Sequence, residues 1–165
     1  MSVEVNGIAH IQLTVNDGER CLPFWEALCH FLEMETLIRN DDTVYCIGSR
    51  TGILVRVAPA DKQSNVFDQN TSGLHHFCFR ARSKEDVDSI YTFVETQLNT
   101  RIIHAPEDGC HFAPGYYSFL FEDPDGIRVE FNYVPGKGHF GEQGRLGEEG
   151  QGPANQYGDD GLTDV

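Results

Sequence analysis

The sequence predicts an α+β fold of two tandem βαβββ modules that pair into a curved, cavity-forming mixed sheet. Three observations carry the prediction. A strand, a helix and three further strands are read twice. The stretch Gly7-Ile8-Ala9-His10-Ile11-Gln12-Leu13 lies over Gly73-Leu74-His75-His76-Phe77-Cys78-Phe79. The second pass closes on a hairpin, Tyr116 to Tyr133, around Asp123-Pro124-Asp125-Gly126. At 165 residues the chain is about one domain's length. We place that domain at 1–135, with modules at about 6–60 and 72–135, and a glycine-rich acidic tail at 136–165.

Taken in order, Ile8 to Val15 alternates, with Ala9, Ile11, Leu13 and Val15 on one face and His10, Gln12 and Thr14 on the other with Ile8. Asn16-Asp17-Gly18 breaks the alternation. Cys21, Leu22, Phe24, Trp25, Leu28, Phe31 and Leu32 then recur at helical spacing, with Pro23 tolerated in a first turn. Glu35 to Arg39, Thr43 to Gly48 and Gly52 to Ala58 are short, rich in β-branched or aromatic residues, and read as strands. Pro59 to Ser72 is a polar linker. Gly73 to Ala81 opens the second module as a strand. Lys84 to Leu98 follows as a helix with Val87, Ile90, Tyr91, Val94 and Leu98 on one face, capped by Ser83 with Asp86 three residues on. Arg101 to His104 is a short strand, and the hairpin follows. A four-residue type I turn at Asp123 to Gly126 sets Glu130 opposite Phe119 and Asn132 opposite Tyr117.

Charge narrows the function. The net charge of -14, from 26 acids and 12 bases with no basic stripe, disfavours a phosphate-backbone partner, so nucleic acid is not expected. No basic leader precedes an apolar run, and no run reaches the length of a membrane span, so a cytoplasmic protein without membrane contact is expected. The five cysteines contain no CxxC spacing and read as reduced, mostly buried thiols; Cys78, two residues after His76, reads as a small hydrophobe.

Alternation and the repeat bring three chemistry-bearing residues to equivalent faces. His10 corresponds to His76, both on the polar face of a first strand. Glu130 shares the polar face of the last strand with Arg128 and Asn132. Singly, each is a hydrogen-bonded strand residue. Together, two imidazoles and one carboxylate suit a divalent first-row ion and leave coordination positions for water and substrate, as a catalytic site requires.

These residues resemble the vicinal oxygen chelate superfamily, which includes glyoxalase I, fosfomycin-resistance thiol transferases, extradiol dioxygenases and bleomycin-resistance proteins. The resemblance runs from about Asn6 to Pro135. It is carried by Gly7 to Val15, Phe24-Trp25-Glu26-Ala27-Leu28, Gly73-Leu74-His75-His76-Phe77, Pro114-Gly115-Tyr116-Tyr117 and Asp123 to Glu130. It implies the glyoxalase-like fold, a divalent metal ion (Zn, Ni, Mn or Fe(II)) on His10, His76 and Glu130, and a small substrate chelated through vicinal oxygens. Glu130 and Tyr117 are the candidates to move a proton. Gln12, Tyr45, Arg56, Arg80 and Arg128 are the candidates to hold substrate.

Laying Gly52-Ile53-Leu54-Val55-Arg56 over Gly126-Ile127-Arg128-Val129-Glu130 puts Arg56, with Tyr45 opposite, where glyoxalase I carries a second acidic ligand. Arg56 either holds a substrate anion or pairs with a nearby acid. The resemblance thus implies a glyoxalase-like lyase or isomerase. Its alternatives are an extradiol-type Fe(II) dioxygenase, with His104, His111 and Tyr117 around the site, and a non-catalytic resistance-type binder. A homodimer partner is compatible with the family. The tail, with nine glycines in thirty residues, cannot build its own core and is either a flexible extension or a strap anchored by Phe140, Leu146 and Tyr157.

Overall fold

The computed structural model describes residues 7–48, 50–110, 112–113 and 115–135. The tail reading and the His111 reading lie outside these. Both βαβββ passes are present. The first runs β1 (His10–Val15), α1 (Gly18–Phe31), β2 (Glu35–Arg39), β3 (Thr43–Ile47) and β4 (Gly52–Val57). The second runs β5 (Phe77–Arg80), α2 (Lys84–Phe93), a π-helical turn (Val94–Leu98), β6 (Ile102–Asp108), β7 (Tyr117–Glu122) and β8 (Arg128–Tyr133). Each forms a four-stranded mixed sheet of the same order, β1-β4-β3-β2 and β5-β8-β7-β6, in which only the β1–β4 and β5–β8 pairs are parallel. The chain divides into two units. One holds the described residues up to Thr71 together with Asp123–Ile127; the other holds Ser72–Glu122 and the described residues from Arg128 onward.

In the first unit Asp17 caps α1 by accepting from Arg20 N at 3.1 Å, so the helix starts at Gly18. Pro23 therefore stands inside the helix rather than in its first turn, at the cost of one backbone hydrogen bond. The apolar stripe Leu22, Trp25, Leu28 and Cys29 is fully buried, as are Leu13, Val15, Val44, Cys46, Ile53 and Val55 on the strands. Burying each large side chain is worth about 1.5–3 kcal/mol. The turn Asp123–Ile127 completes this unit. Asp123, 3% exposed, accepts from Trp25 Nε1, Asp125 N and Ile127 N, each at 2.9 Å. Asp125 accepts in turn from the backbone N–H groups of Asn16 and Asp17. Burial pushes the Asp123 carboxyl up to about 6, against the pull of these donors.

That turn also sets the register of the second hairpin. Asp123 O accepts from Gly126 N at 3.0 Å, and Asp123 N donates to Ile127 O at 2.8 Å. Gly126 at φ 88° occupies the left-handed region, the pattern of a type I turn with a following bulge residue. The extra residue moves the pairing by one. Glu130 stands opposite Leu120 and Asn132 opposite Ser118, not Phe119 and Tyr117 as four-residue counting gave. The aromatics fall instead on the helix side, where Phe119, Phe121 and Phe131 stack at 5.5–6.2 Å and Tyr91 of α2 meets Phe119 edge-on.

Three boundaries differ from expectation by more than about two residues. β5 begins at Phe77, so His75 and His76 precede the strand. The second helix gives way after Phe93 to a π turn, ending at Asn99 with φ 48°. β6 runs on to Asp108 through Pro106, which an edge strand with register shifts accommodates.

Candidate functional site

The second unit assembles its polar face around Glu130. This carboxylate is only 8% exposed, and both its oxygens are engaged: Tyr116 Oη donates to Oε1 at 2.6 Å, and His76 Nε2 lies 3.4 Å from Oε2. Burial raises the Glu130 pKa, but His76, Tyr116 and Ser118 outweigh it and hold the carboxyl below its ordinary value, so it is ionised at neutral pH. Burial and the same hydrogen bond push the Tyr116 phenol up, keeping it a donor. His76 is joined through its other nitrogen to His75, Nδ1 to Nδ1, at 2.7 Å. Burial, His76 and Arg128 lower the His75 pKa. Cys78 is the register partner of Glu130 on β5 and is exposed.

Sequence reasoning named the adjacent tyrosine. Tyr117 lies on the helix side, where its hydroxyl donates to Asp88 at 2.7 Å and Lys84 Nζ sits 4.6 Å above its ring. The bond to Asp88 pushes its phenol up to about 12. Tyr116 reaches Glu130 because Gly115, at φ 72°, turns the chain just before β7. A Cβ on Gly115 would come within 2.5 Å of Pro135 Cγ, so both conformation and space require glycine. The missed signal was the bulge: once the hairpin register moves by one, alternation reassigns both tyrosines.

Of the proposed anion-binding residues in this unit, Arg128 pairs with Glu122 at 3.5 Å, and Glu122 also receives Arg101 at 3.2 Å. Arg80 is exposed and donates to Val134 O at 3.3 Å. His104 is exposed on β6 and stands in register with Leu120, the partner of Glu130.

In the first unit, His10, Gln12 and Thr14 on β1 are in parallel register with Gly52, Leu54 and Arg56 on β4, and so share one face. Tyr45 stands opposite Leu54 and Thr43 opposite Arg56. This corrects the placing of Tyr45 opposite Arg56. The Tyr45 ring lies across Gly52, whose added Cβ would meet it at 2.9 Å. The registers also correct the comparison of the two passes. With His10 matched to His76, Gln12 matches Cys78. The β8 partner of Cys78 is Glu130, and the β4 partner of Gln12 is Leu54. Leu54, not Arg56, holds the Glu130 position of the first pass, and Arg56 corresponds to Asn132. No carboxylate occupies that position under either alignment.

His76 Nε2 and Glu130 Oε2 suit a divalent ion. Two donors bound to one ion at about 2.1 Å are about 3.0–3.4 Å apart, and the pair stands at 3.4 Å. Among the described residues no group of three or more His, Cys, Asp or Glu side chains is arranged to hold a metal ion. Among them, too, no helix is long and apolar enough to cross a membrane.

Two βαβββ units, each with a helix against one sheet face and polar residues on the other, define a duplicated α+β protein of the glyoxalase-like class. The chain belongs to the Glyoxalase/Bleomycin resistance protein/Dioxygenase superfamily, whose model matches residues 7–131. A Bacillus halodurans protein classed by name with the glyoxalases is similar at 26% identity and a TM-score of 0.66, over 77% of this chain and 95% of that one. A glyoxylase/bleomycin resistance protein/dioxygenase domain from Frankia sp. EAN1pec matches at 21% identity and 0.61, covering 79% and 98%. Lactoylglutathione lyase from Agrobacterium tumefaciens matches at 24% and 0.55, covering 77% and 92%. The last two show the fold alone. No curated protein matches the chain.

Proposed function

We propose that the chain is a divalent-metal-dependent, glyoxalase-like lyase or isomerase acting on a small oxygenated substrate through two vicinal oxygens. The observation that carries this reading is the His76–Glu130 pair, an imidazole nitrogen and an ionised carboxylate at ligand spacing in a half-buried setting. His76 and Glu130 would supply two ligands, and His10, its counterpart in the repeat, the third. An ion held by these residues would supply a Lewis acid for negative charge developing on the substrate oxygens. Glu130 takes the substrate proton, while Tyr116 holds its second oxygen and keeps it ionised. Gln12, Tyr45 and Arg56 on the open face of the first sheet orient the substrate, with Arg56 and Arg80 available to an anionic group. A cytoplasmic location and a homodimer belong to the same proposal.

One observation favours a second reading. Leu54 at the position matching Glu130 leaves a set of two histidines and a single carboxylate, which also suits an extradiol-type Fe(II) dioxygenase. Metal analysis of the purified chain, repeated on His10→Ala, His76→Ala and Glu130→Ala, tests the common core. Stoichiometric metal in the parent and its loss in all three variants is expected. A metal-free parent would leave a non-catalytic small-molecule binder, and metal retained in the variants would end the reading on these ligands. Turnover of catechols only with Fe(II) would select the dioxygenase.

A further inference from the structure

His75 and His76 meet Nδ1 to Nδ1 at 2.7 Å, with ring planes 76° apart and centroids at 5.0 Å. A separation that short holds one proton between the two nitrogens, so one imidazole donates and the other accepts. The contact exists because β5 begins only at Phe77. Strand alternation would have sent these neighbours to opposite faces; ahead of the strand their side chains can touch.

We propose that His75 is the positioning residue of the site, fixing the ring of His76 through Nδ1 and presenting its Nε2 toward Glu130. The inference rests on His76 and Glu130 being ligands. A metal-binding imidazole ordinarily has its remote N–H tied to a carboxylate, a backbone carbonyl or water, which fixes tautomer and orientation. Here an imidazole takes that place, with a consequence a carboxylate could not give. A carboxylate only accepts, and so holds its histidine in one tautomer. His75 Nδ1 both accepts and donates. With no ion bound, His76 Nε2 faces the Glu130 carboxylate at 3.4 Å and carries the proton, so His76 Nδ1 accepts from His75. With an ion on Nε2, the His76 proton sits on Nδ1 and is donated to His75. The same hydrogen bond serves both states with its direction reversed, and neither requires the ring to turn.

The full-length chain, stripped with chelator, would be titrated with Zn²⁺ against a chromophoric competitor. The tautomer of His76 would be read by ¹⁵N NMR before and after loading. His75→Phe keeps a ring but removes both nitrogens, and should weaken Zn²⁺ binding by about 10–100-fold; His75→Gln, which can still accept or donate, should recover most of the loss. In the parent the His76 proton should move from Nε2 to Nδ1 on loading. The inference is overturned if His75→Phe binds Zn²⁺ as tightly as the parent while His76→Ala has lost it, or if the parent's tautomer stays the same on loading. If His76→Ala and Glu130→Ala both bind like the parent, it is the underlying ligand reading that falls, and this inference falls with it.

Discussion

Tyr116 Oη donates to Glu130 Oε1 at 2.6 Å, while Tyr117, one residue on, donates to Asp88 from the other face of the same sheet. Two adjacent tyrosines thus serve different ends. Tyr116→Phe removes a hydrogen bond to a buried charge, which should cost about 1.5–3 kcal/mol and raise the Glu130 pKa. Tyr117→Phe removes an exposed one, and about 1 kcal/mol or less is expected. Urea denaturation of both variants checks the order, and a larger loss for Tyr117→Phe would contradict the placement.

The Asp123 turn makes stability depend on pH in a direction opposite to that of an ion-paired carboxylate. Its folded pKa of about 6 lies above the unfolded value, so between about pH 4 and 6 the native state binds more protons than the unfolded chain. The contribution is therefore fullest below the unfolded pKa and is lost as pH rises through 6, by about 3 kcal/mol in all. Asp123→Asn cannot ionise. It should be less stable at low pH, because its amide cannot accept from Trp25 Nε1 without giving up another partner, yet the parent-minus-variant difference in unfolding free energy should fall from pH 4 to pH 7. A constant difference across that range would show that Asp123 does not titrate as stated.

The register of β4 against β1 predicts different outcomes at Leu54 and Arg56. Leu54→Glu puts a carboxylate at the position matching Glu130 and should tighten divalent-ion binding by tenfold or more, on the order of 1.4 kcal/mol. Arg56→Glu, one pair further along, should leave ion affinity within about twofold and act on substrate binding. Competition titration with Zn²⁺ decides between them, and tighter binding in Arg56→Glu alone would restore the alignment that sets Arg56 over Glu130.

If a divalent ion binds the native state and not the unfolded chain, removing it must lower stability by a concentration-dependent amount, about 2.7 kcal/mol at an ion level a hundred times the Kd. Thermal unfolding with and without chelator should show this shift in the parent. It should be absent in Glu130→Ala.

The stacked trio Phe119, Phe121 and Phe131 is buried to 1% exposure or less and holds the second sheet against α2. Phe131→Ala should cost about 3–5 kcal/mol by leaving a cavity. Its side chain lies on the face of β8 opposite that of Glu130, so folded protein should still bind metal, which separates packing from chemistry.

The sequence by itself determined both βαβββ passes, because apolar alternation and helical spacing are local patterns that each module repeats. It also determined which faces of β1 and β8 carry His10 and Glu130. What alternation cannot supply is register, since strands of the same pattern can pair at several offsets. A shift of one residue exchanges faces, and the left-handed Gly126 made that shift, putting Leu120 opposite Glu130 and sending Tyr117 to the helix. A shift of two keeps the face but changes the position, as happened with Leu54 and Arg56. Tyr116 and His75 were counted into strands by the periodic pattern but stand just ahead of them. Only the folded backbone, through the Gly115 turn and the late start of β5, brought them to Glu130 and His76.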